Sequence, residues 1–225
     1  MEQIKPLICF ANAYDCIESI EALKTIPCDQ LHVEYFPYPQ NYIEIEKWLE
    51  SHKEYTHILY IAPDIVLTKS AYLIMIDYIK QHDPPVYGPS CNVDQNNDAL
   101  ACCLKLPEIF YWNRRYRWVK EHHRQYFLEH DMPLIQVKFN ANLAFVRRDI
   151  FDKIPYMALP YDTDERPIHE SAGGYACDLA FCHYCNHLDI PILVDMRVKL
   201  KHLRYAGPLQ VGKKEPKITF YNYND

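Results

Sequence analysis

Glycine is scarce in this sequence, which has only five among its 225 residues. Neither the Gly-x-Gly-x-x-Gly pattern of dinucleotide-binding folds nor the Gly-x-x-x-x-Gly-Lys-Ser/Thr phosphate loop is present. Both patterns depend on glycine because the backbone must approach a phosphate closely. The sequence therefore gives no support to a dinucleotide-binding site or a phosphate-loop nucleotidase.

Long apolar runs are also missing. No run approaches the roughly 20 residues that a membrane-spanning helix needs, and the longest candidates, 58–61 and 72–76, are short. Residues 1–15 lack the apolar core and the small-residue cleavage site of a signal peptide. We therefore expect a cytoplasmic protein without a membrane span.

An excess of positive charge is absent as well. The formal net charge is −6 at pH 7, so the chain has no global positive field that would attract DNA or RNA. We therefore expect no nucleic-acid partner. Segment 110–124 is locally rich in aromatic residues and arginine, which can stack on bases or on an acceptor sugar. The simplest interpretation is a helix with a buried aromatic side, and acceptor contact comes second.

Cysteine, in contrast, is abundant, with nine residues. Most lie in apolar patterns, where a free thiol behaves as a small hydrophobic group. A secreted disulfide framework is usually shorter, denser and even in count, so we expect reduced thiols. Cys182, His183, Cys185 and His187 could bind zinc. A second matching pair is missing, and Cys182 and Cys185 share one helix face, which favours core packing.

Strand and helix patterns alternate through the first third of the chain. They predict strands over 7–11, 31–36, 56–62 and from Val86, separated by a helix capped by Asp15 and closed by Pro27, a helix over 42–52, and a helix capped by Ser70 that runs to Ile79. This order predicts an α/β fold with a mostly parallel central sheet flanked by helices. Ligands bind such sheets at the C-terminal ends of the strands, which here form a rim of 11–14, 36–39 and 62–64.

The later elements are less regular. The pattern predicts a strand over 137–146, a short helix to Ile154, a long loop over 159–174, a helix over 177–188, and a strand from Ile192 that continues to His202; no clear element follows Gly212. We expect a single domain over 1–211 and a C-terminal tail over 212–225.

Three separated segments resemble the inverting GT-A glycosyltransferases, a family-2-like group of nucleotide-diphospho-sugar transferases. Segment 58–67 is similar to the strand that ends in their Asp-x-Asp motif. Segment 174–192 resembles their Glu-Asp helix, and segment 194–202 resembles their last strand, which ends in a metal-binding histidine. Segment 140–148 also resembles the core strand before the Glu-Asp helix. Two positions depart from the pattern, since Ala62 replaces the first aspartate and Cys177 replaces the glutamate.

The resemblance implies a GT-A-type, Rossmann-like sandwich and a set of catalytic residues. Asp178 would be the base that deprotonates the acceptor hydroxyl, a role that suits a carboxylate at a helix start. Asp64 and His202 would hold Mn²⁺, or Mg²⁺, which neutralises the leaving diphosphate. Taken singly, Asp64 fits a turn residue, His202 a surface histidine and Asp178 an ordinary charge at a helix start.

The same resemblance, together with the rim, implies two binding surfaces. The nucleotide base and ribose are expected beside the first two strands, with Tyr35 as an alternative to Glu34. The residues expected to bind the nucleotide-sugar are Ala11, Asn12, Tyr14, Glu34, Pro63, Asn140 and Asn142. The residues expected to bind the acceptor, a glycan or another hydroxyl compound, are Tyr111, Trp112 and Tyr175.

The predicted function is metal-assisted transfer of a hexosyl or pentosyl group from a nucleotide-diphospho-sugar to an acceptor hydroxyl, with inversion. One alternative is a non-catalytic nucleotide- or glycan-binding module of the same fold, which the departures at Ala62 and Cys177 would explain. The other alternative is a zinc-stabilised nucleic-acid-binding protein.

Overall fold

The structure is a computed structural model, which describes residues 3–37, 40–92, 98–104, 118–140, 144–154, 176–203 and 207–223. The side chains of residues 176–180 and 183 are outside this description. The elements in chain order are β1 (Pro6–Asn12), α1 (Ile17–Lys24), β2 (Asp29–Glu34), α2 (Gln40–Glu50), β3 (His57–Ile61), β4 (Ile65–Val66), α3 (Lys69–His82), β5 (Val86–Cys91), β6 (Ala99–Cys103), β7 (Trp118–Lys120), α4 (Glu121–Glu129), β8 (Leu134–Val137), β9 (Phe139–Asn140), β10 (Phe145–Arg147), α5 (Arg148–Lys153), α6 (Ala176–His187), β11 (Ile192–His202) and β12 (Lys217–Tyr221).

A nine-stranded sheet lies at the centre, in the order β12-β2-β1-β3-β10-β5-β11-β4, with β8 paired to β11. Strands β2, β1 and β3 are parallel neighbours, and so are β5 and β11. The α/β architecture is thus confirmed and agrees with a Rossmann-like fold. The prediction of a mostly parallel sheet is wrong, because β4, β8, β10 and β12 run antiparallel to their neighbours. Helical crossovers force a parallel arrangement only on the strands they connect, and these four strands enter the sheet by other routes.

The segment predicted as one strand over 137–146 is divided among three strands. Strand β8 pairs with β11 in the large sheet. Strand β9 pairs with β6, which also pairs with β7, in a separate three-stranded sheet. Strand β10 returns to the large sheet between β3 and β5. A continuous apolar pattern therefore serves two sheets in turn.

Two hydrophobic cores cover the two faces of the large sheet. In β1, Leu7 and Cys9 contribute to one core, and Ile8 and Phe10 contribute to the other. This alternation follows from the two-residue period of a strand. Helix α2 packs on the first face and α3 on the second, as their buried residues show. Burial on both faces explains why β1 and β3 read as continuous apolar runs.

The eight cysteines whose side chains the structure describes are all buried, and none of them forms a disulfide bond. Burial raises the pKa of Cys102 and Cys185 to about 12, so these thiols stay neutral. Cys182 and Cys185 belong to the first core, as the core-packing interpretation predicts for this pair. Across the described ranges, His, Cys, Asp and Glu nowhere form a group of three or more that could hold a metal ion.

Two predicted helix caps differ from the observed ones. Helix α3 starts one residue before Ser70, and Thr68 is its N-cap, with Oγ1 accepting the Ala71 N–H at 3.2 Å. Helix α1 begins after Cys16, which makes no side-chain capping bond. Asp15, predicted as that cap, instead binds partners on the rim described below. Its carboxylate therefore serves tertiary structure rather than the helix.

The segment after Gly212 contains a strand, although the sequence predicted none. Strand β12 pairs antiparallel with β2 over five residues, from Lys217 opposite Glu34 to Tyr221 opposite Gln30. It forms one edge of the large sheet.

In the part of the chain that the structure describes, every helix is too short or too polar to cross a bilayer.

Candidate functional site

The C-terminal ends of the parallel strands form one rim of the large sheet. Asn12 ends β1 and lies opposite Glu34, the last residue of β2. Strand β3, parallel to β1, ends next to them at Ile61. The chain after β3 carries Pro63 and Asp64 along this rim, where both are partly exposed. Parallel pairing therefore brings three separate strand ends to one place, which is where ligands bind in such sheets.

Asp64 and His202 are in direct contact at this rim, although 138 residues separate them in sequence. The His202 Nε2 atom lies 3.0 Å from the Asp64 Oδ2 atom. The backbone supports the contact, because His202 lies opposite Ile65 in the antiparallel β4–β11 pair. The Leu203 N–H also donates to the Asp64 carbonyl at 2.7 Å. The two side chains are partly open to solvent, at 25% and 33% exposure for His202 and Asp64.

The surroundings of the His202 ring constrain what can lie between it and Asp64. The Nδ1 atom faces the Asn92 carbonyl oxygen at 3.0 Å, and a carbonyl only accepts, so Nδ1 carries a hydrogen. An ionised carboxylate also only accepts, so the 3.0 Å contact between Nε2 and Oδ2 needs a proton or a cation shared by the two side chains. The geometry fits a positive charge at this point.

Cys91, at the end of β5, lies close enough to Asp64 for the carboxylate to affect the pKa of its thiol. Burial, and secondarily the Asp64 carboxylate, raise the pKa of the Cys91 thiol to about 12. A thiol of this kind is not ionised near neutral pH and is a poor metal ligand. The chemistry of the pair therefore rests on one carboxylate and one imidazole.

Asn12 has an unsatisfied amide at the rim. The side chain is fully buried, and its Oδ1 accepts the Tyr14 N–H at 3.0 Å. Its Nδ2 is buried and makes no hydrogen bond. A buried donor without a partner is unfavourable by about 1–3 kcal/mol, and such groups mark places where a ligand or a water can bind. Ala11, just before it in β1, is buried.

Glu34 is occupied by a partner from the C-terminal segment. Its buried carboxylate lies 2.9 Å from Lys217 Nζ, and this bond is the main reason that the pKa of Lys217 is raised. The next residue, Tyr35, has a left-handed backbone with φ of 66°. Left-handed non-glycine residues are uncommon and often stand at functional sites. The predicted contact from Glu34 to a nucleotide therefore competes with an ion pair.

The segment 207–214 runs across the rim, a feature that the sequence analysis missed. Gln210 N–H donates to the Ala13 carbonyl at 3.0 Å, and Leu209 forms an isolated bridge with Tyr14. Lys214 Nζ lies 2.6 Å from Asp15 Oδ2. This bond is the main cause of the lowered pKa of Asp15. The segment is part of the site's wall.

Gly207 begins this crossing with φ of 98°, in a region that favours glycine. A Cβ atom there would lie 3.1 Å from the Asp15 carbonyl oxygen. The Asp15 carboxylate, which pairs with Lys214, also accepts the Tyr35 hydroxyl, which donates to Oδ1 at 2.9 Å. The run of β-branched and aromatic residues Ile218, Thr219, Phe220 and Tyr221 was the sequence signal for the strand that anchors this segment.

Asn140 lies away from the pair, in β9 of the small sheet, and is buried. Its backbone carbonyl accepts the Cys182 thiol at 3.6 Å. Asp178 lies in the first turn of α6, close to where the sequence predicted a helix start, but its side chain is outside the described residues. Four other predicted residues also lie outside them: Tyr111, Trp112, Asn142 and Tyr175.

Comparison with solved structures finds a related fold. Residues 1–349 of the S. aureus protein TarS, a glycosyltransferase, match with a TM-score of 0.50 and 11% sequence identity. The match covers 89% of this chain and 60% of the TarS chain, so this protein spans about three fifths of that structure. The likeness supports a glycosyltransferase-like fold, the coarse part of the resemblance noted in the sequence. No protein-family model and no curated protein matches the sequence.

Proposed function

We propose that this protein is an inverting, metal-assisted glycosyltransferase of the GT-A, family-2-like type, which uses a nucleotide-diphospho-sugar. The observation that carries the proposal is the contact of Asp64 with His202 at the strand-end rim. Two residues so far apart in sequence meet where a donor diphosphate would lie. The glycosyltransferase-like fold supports the same function.

Asp64 and His202 would hold the divalent cation. A carboxylate and an imidazole suit Mn²⁺ better than Mg²⁺, and the 3.0 Å contact between His202 Nε2 and Asp64 Oδ2 suits a cation shared by the two side chains. When bound, the cation would neutralise the charge that develops on the leaving diphosphate. The Nδ1–H bond to Asn92 would fix the ring so that Nε2 faces the cation.

The remaining rim residues would bind and orient the substrates. The free Asn12 amide would donate to an acceptor atom of the nucleotide, beside Ala11, Tyr14 and Pro63. Asp178 would take the proton from the acceptor hydroxyl as that oxygen attacks the anomeric carbon. One displacement from the face opposite the leaving group inverts the anomeric centre. Asn140 and Asn142 as donor contacts, and Tyr111, Trp112 and Tyr175 as acceptor contacts, remain part of this proposal.

Nucleotide-dependent stabilisation tests this function most directly. We would measure the melting temperature with UDP-, GDP-, CDP- and dTDP-sugars, each with and without Mn²⁺. A ligand that binds the folded state raises the melting temperature by mass action. We expect one nucleotide class to stabilise the protein in a metal-dependent way, and Asp64→Asn and His202→Gln each to abolish the metal-dependent part.

Matched controls come from helix α3, where Asp77 and His82 are exposed. Asp77→Asn and His82→Gln make the same chemical changes away from the rim and should leave the shifts unaltered. For the catalytic base, Asp178→Asn should abolish sugar transfer while donor binding persists. Metal-independent stabilisation, unaffected by the changes at Asp64 and His202, would contradict the proposed cation site.

A non-catalytic nucleotide- or glycan-binding module of the same fold is the second candidate. Cys177 in place of the glutamate of the Glu-Asp helix favours it, because this departure removes a residue of the transferase pattern. Ala62 in place of an aspartate favours it as well. Nucleotide binding without either sugar transfer or donor hydrolysis would identify this module.

A further inference from the structure

Strand β11 is irregular in its middle. Against β5, Asp195 lies opposite Pro89, and Lys199 lies opposite the next residue, Ser90. Residues 196–198 are thus extra residues on the β11 side, which makes this an extended β-bulge. Before the bulge, β11 pairs with β8 on its other edge, and after the bulge it pairs with β4. The strand changes partners at this point.

The bulge also turns the strand over. Val194 and Met196 belong to the core on the first face of the sheet, whereas Val198 and Leu200 belong to the core on the second face. In a regular strand these four residues would share one face, because side chains alternate with period two. An odd number of extra residues moves the side chains that follow to the opposite face of the sheet. The change from the first core at Met196 to the second core at Val198 shows this switch of face.

The exchange determines where His202 points. His202 lies two residues beyond Leu200 and therefore follows it to the second face. Ile65, which lies opposite His202 and follows Asp64, also packs in the second core. If β11 continued without the extra residues, the side chain at His202 would face the other side of the sheet. The contact with Asp64 thus depends on the bulge.

A buried polar cluster holds the bulge in place. Asp195 is fully buried, and its Oδ2 accepts the Tyr87 hydroxyl at 2.8 Å and Arg197 Nη2 at 2.6 Å. Its Oδ1 accepts the Arg197 N–H at 2.9 Å and Nε at 3.0 Å. At the other end of the bulge, Ser90 Oγ of β5 donates to the Val198 carbonyl at 2.8 Å. The bonds therefore join β5 to both ends of the bulge.

Such a cluster has no advantage in stability over apolar packing. Moving a carboxylate out of water is costly, and its bonds repay that cost only when the donors are well placed. Apolar residues of similar volume often stabilise a core equally or better. The fully buried Asp195 carboxylate, paired with the half-exposed Arg197, is therefore better explained by the geometry that it enforces at the bulge.

We propose that Tyr87, Asp195 and Arg197 are positioning residues, which fix the bulge of β11 and thereby hold His202 against Asp64. The part of this inference that concerns cation binding rests on the proposed function. The part that concerns the position of His202 rests on the backbone alone. The two parts have separate readouts.

The test compares two tyrosines that make the same kind of bond. Tyr87 and Tyr55 are both buried, and each hydroxyl donates to a carboxylate, Asp195 at 2.8 Å and Asp29 at 2.9 Å. Tyr87→Phe removes the bond at the bulge, whereas Tyr55→Phe removes its counterpart near the opposite ends of the strands. We would measure Mn²⁺ affinity by calorimetry and the exchange rate of the Leu203 amide, which donates to Asp64.

Tyr87→Phe should weaken Mn²⁺ binding by about tenfold, the range typical of residues that orient metal ligands, and should speed exchange at Leu203. Tyr55→Phe should change neither readout, although it lowers the melting temperature similarly. Ser90→Ala removes the second bond to the bulge and should act in the same direction, which covers failure of Tyr87→Phe to fold.

One contrary result is that Tyr87→Phe and Tyr55→Phe change the Mn²⁺ affinity and the Leu203 exchange rate by equal amounts. That result would mean that the cluster supplies only stability, and the proposal would be overturned. An unchanged Leu203 amide in both Tyr87→Phe and Ser90→Ala would overturn it too. If the unaltered protein binds no Mn²⁺ but Leu203 still responds to Tyr87→Phe alone, the cation site fails and the positioning role stands.

Discussion

At the scale of single residues, buried polar side chains lie at both ends of the central strands, and only those at the C-terminal ends are near the proposed site. Asn12 lies at the C-terminal end of β1, where a nucleotide is proposed to bind, and its amide nitrogen is buried without a hydrogen-bond partner. His57 lies at the opposite end, at the start of β3, with Nε2 buried and 3.4 Å from Asp83 Oδ1. Burial lowers the pKa of His57 to about 4, against the weaker, opposing effect of Asp83. His57 is therefore neutral at pH 7 and lies at the end of the sheet opposite the proposed chemistry.

His57 and His32 should make stability depend on pH. Burial lowers the pKa of His32 to about 4 as well. Because the unfolded chain binds protons at these sites below about pH 6.5 and the folded chain does so only near pH 4, the free energy of unfolding should fall as pH decreases through this window. Each histidine can account for at most about 3 kcal/mol.

Urea unfolding at pH 7 and at pH 5 would test this dependence. His57→Gln should reduce the loss of stability between the two pH values, whereas the same change at the exposed His122 should not. A loss that is identical in the His57→Gln, His32→Gln and unaltered proteins would mean that other groups cause it.

At the scale of elements, helix α3 shows how a local signal can be placed slightly wrongly. Thr68 and Ser70 are both suitable N-cap residues, and the sequence pattern predicted Ser70. In the structure Thr68 accepts the Ala71 N–H, and Ser70 lies within the first turn, 3.1 Å from the Thr68 hydroxyl. N-cap propensity alone cannot distinguish two candidate residues two positions apart, because the start of the helix depends on where the preceding strand β4 ends.

Thr68→Ala should lower the free energy of unfolding by about 1 kcal/mol, because the Ala71 N–H loses its acceptor. Ser70→Ala is the matched control and should change the free energy by only a few tenths of that value, since alanine suits the first turn of a helix. Chemical denaturation of both variants would measure the difference. A larger loss for Ser70→Ala would restore the capping role that the sequence first indicated.

Long periodic elements could be predicted from the sequence, and short ones could not. Strands β1, β2 and β3 and helices α2 and α3 appear close to their predicted places. Strands β4, β9 and β10 have two or three residues each. Their conformation comes from partners distant in sequence. The bulge in β11 is hidden for the same reason, since its extra residues are defined only against β5.

At the scale of the whole molecule, β10 joins two groups of parallel strands. It lies between β3 and β5 and runs antiparallel to both. Its Phe145 is completely buried in the second core and pairs with Leu59 on one side and Tyr87 on the other. The two halves of the sheet are therefore expected to unfold together.

Phe145→Ala should lower the free energy of unfolding by about 3–5 kcal/mol, the usual loss when a large core side chain leaves a cavity. Circular dichroism and tryptophan fluorescence should give the same transition in the unaltered protein, as expected for one cooperative unit. Phe151, which belongs to α5 and is buried in the first core, offers a comparison on the other face. Separate transitions would show that the halves unfold independently.

The candidate site was only partly predictable. Asp64 and His202 were identified from their similarity to strand-end motifs, and the structure brings them into contact. The crossing segment that contacts Asp15 and Tyr35 was missed, because neither its lysines nor its turn residues show which strand end they will meet. Such contacts follow from the path of the chain through the whole fold, which local patterns do not contain.

The pairing of β12 with β2 also has a consequence for biosynthesis. Lys214 follows Tyr35 by 179 residues, and the ribosome adds roughly 5–20 residues per second. For about ten to forty seconds the nascent chain thus holds β2 with an unoccupied edge, the kind of edge on which chains aggregate. Slowing translation between the codons for β10 and β12 should then lower the soluble yield, whereas a chaperone that binds extended segments should protect it.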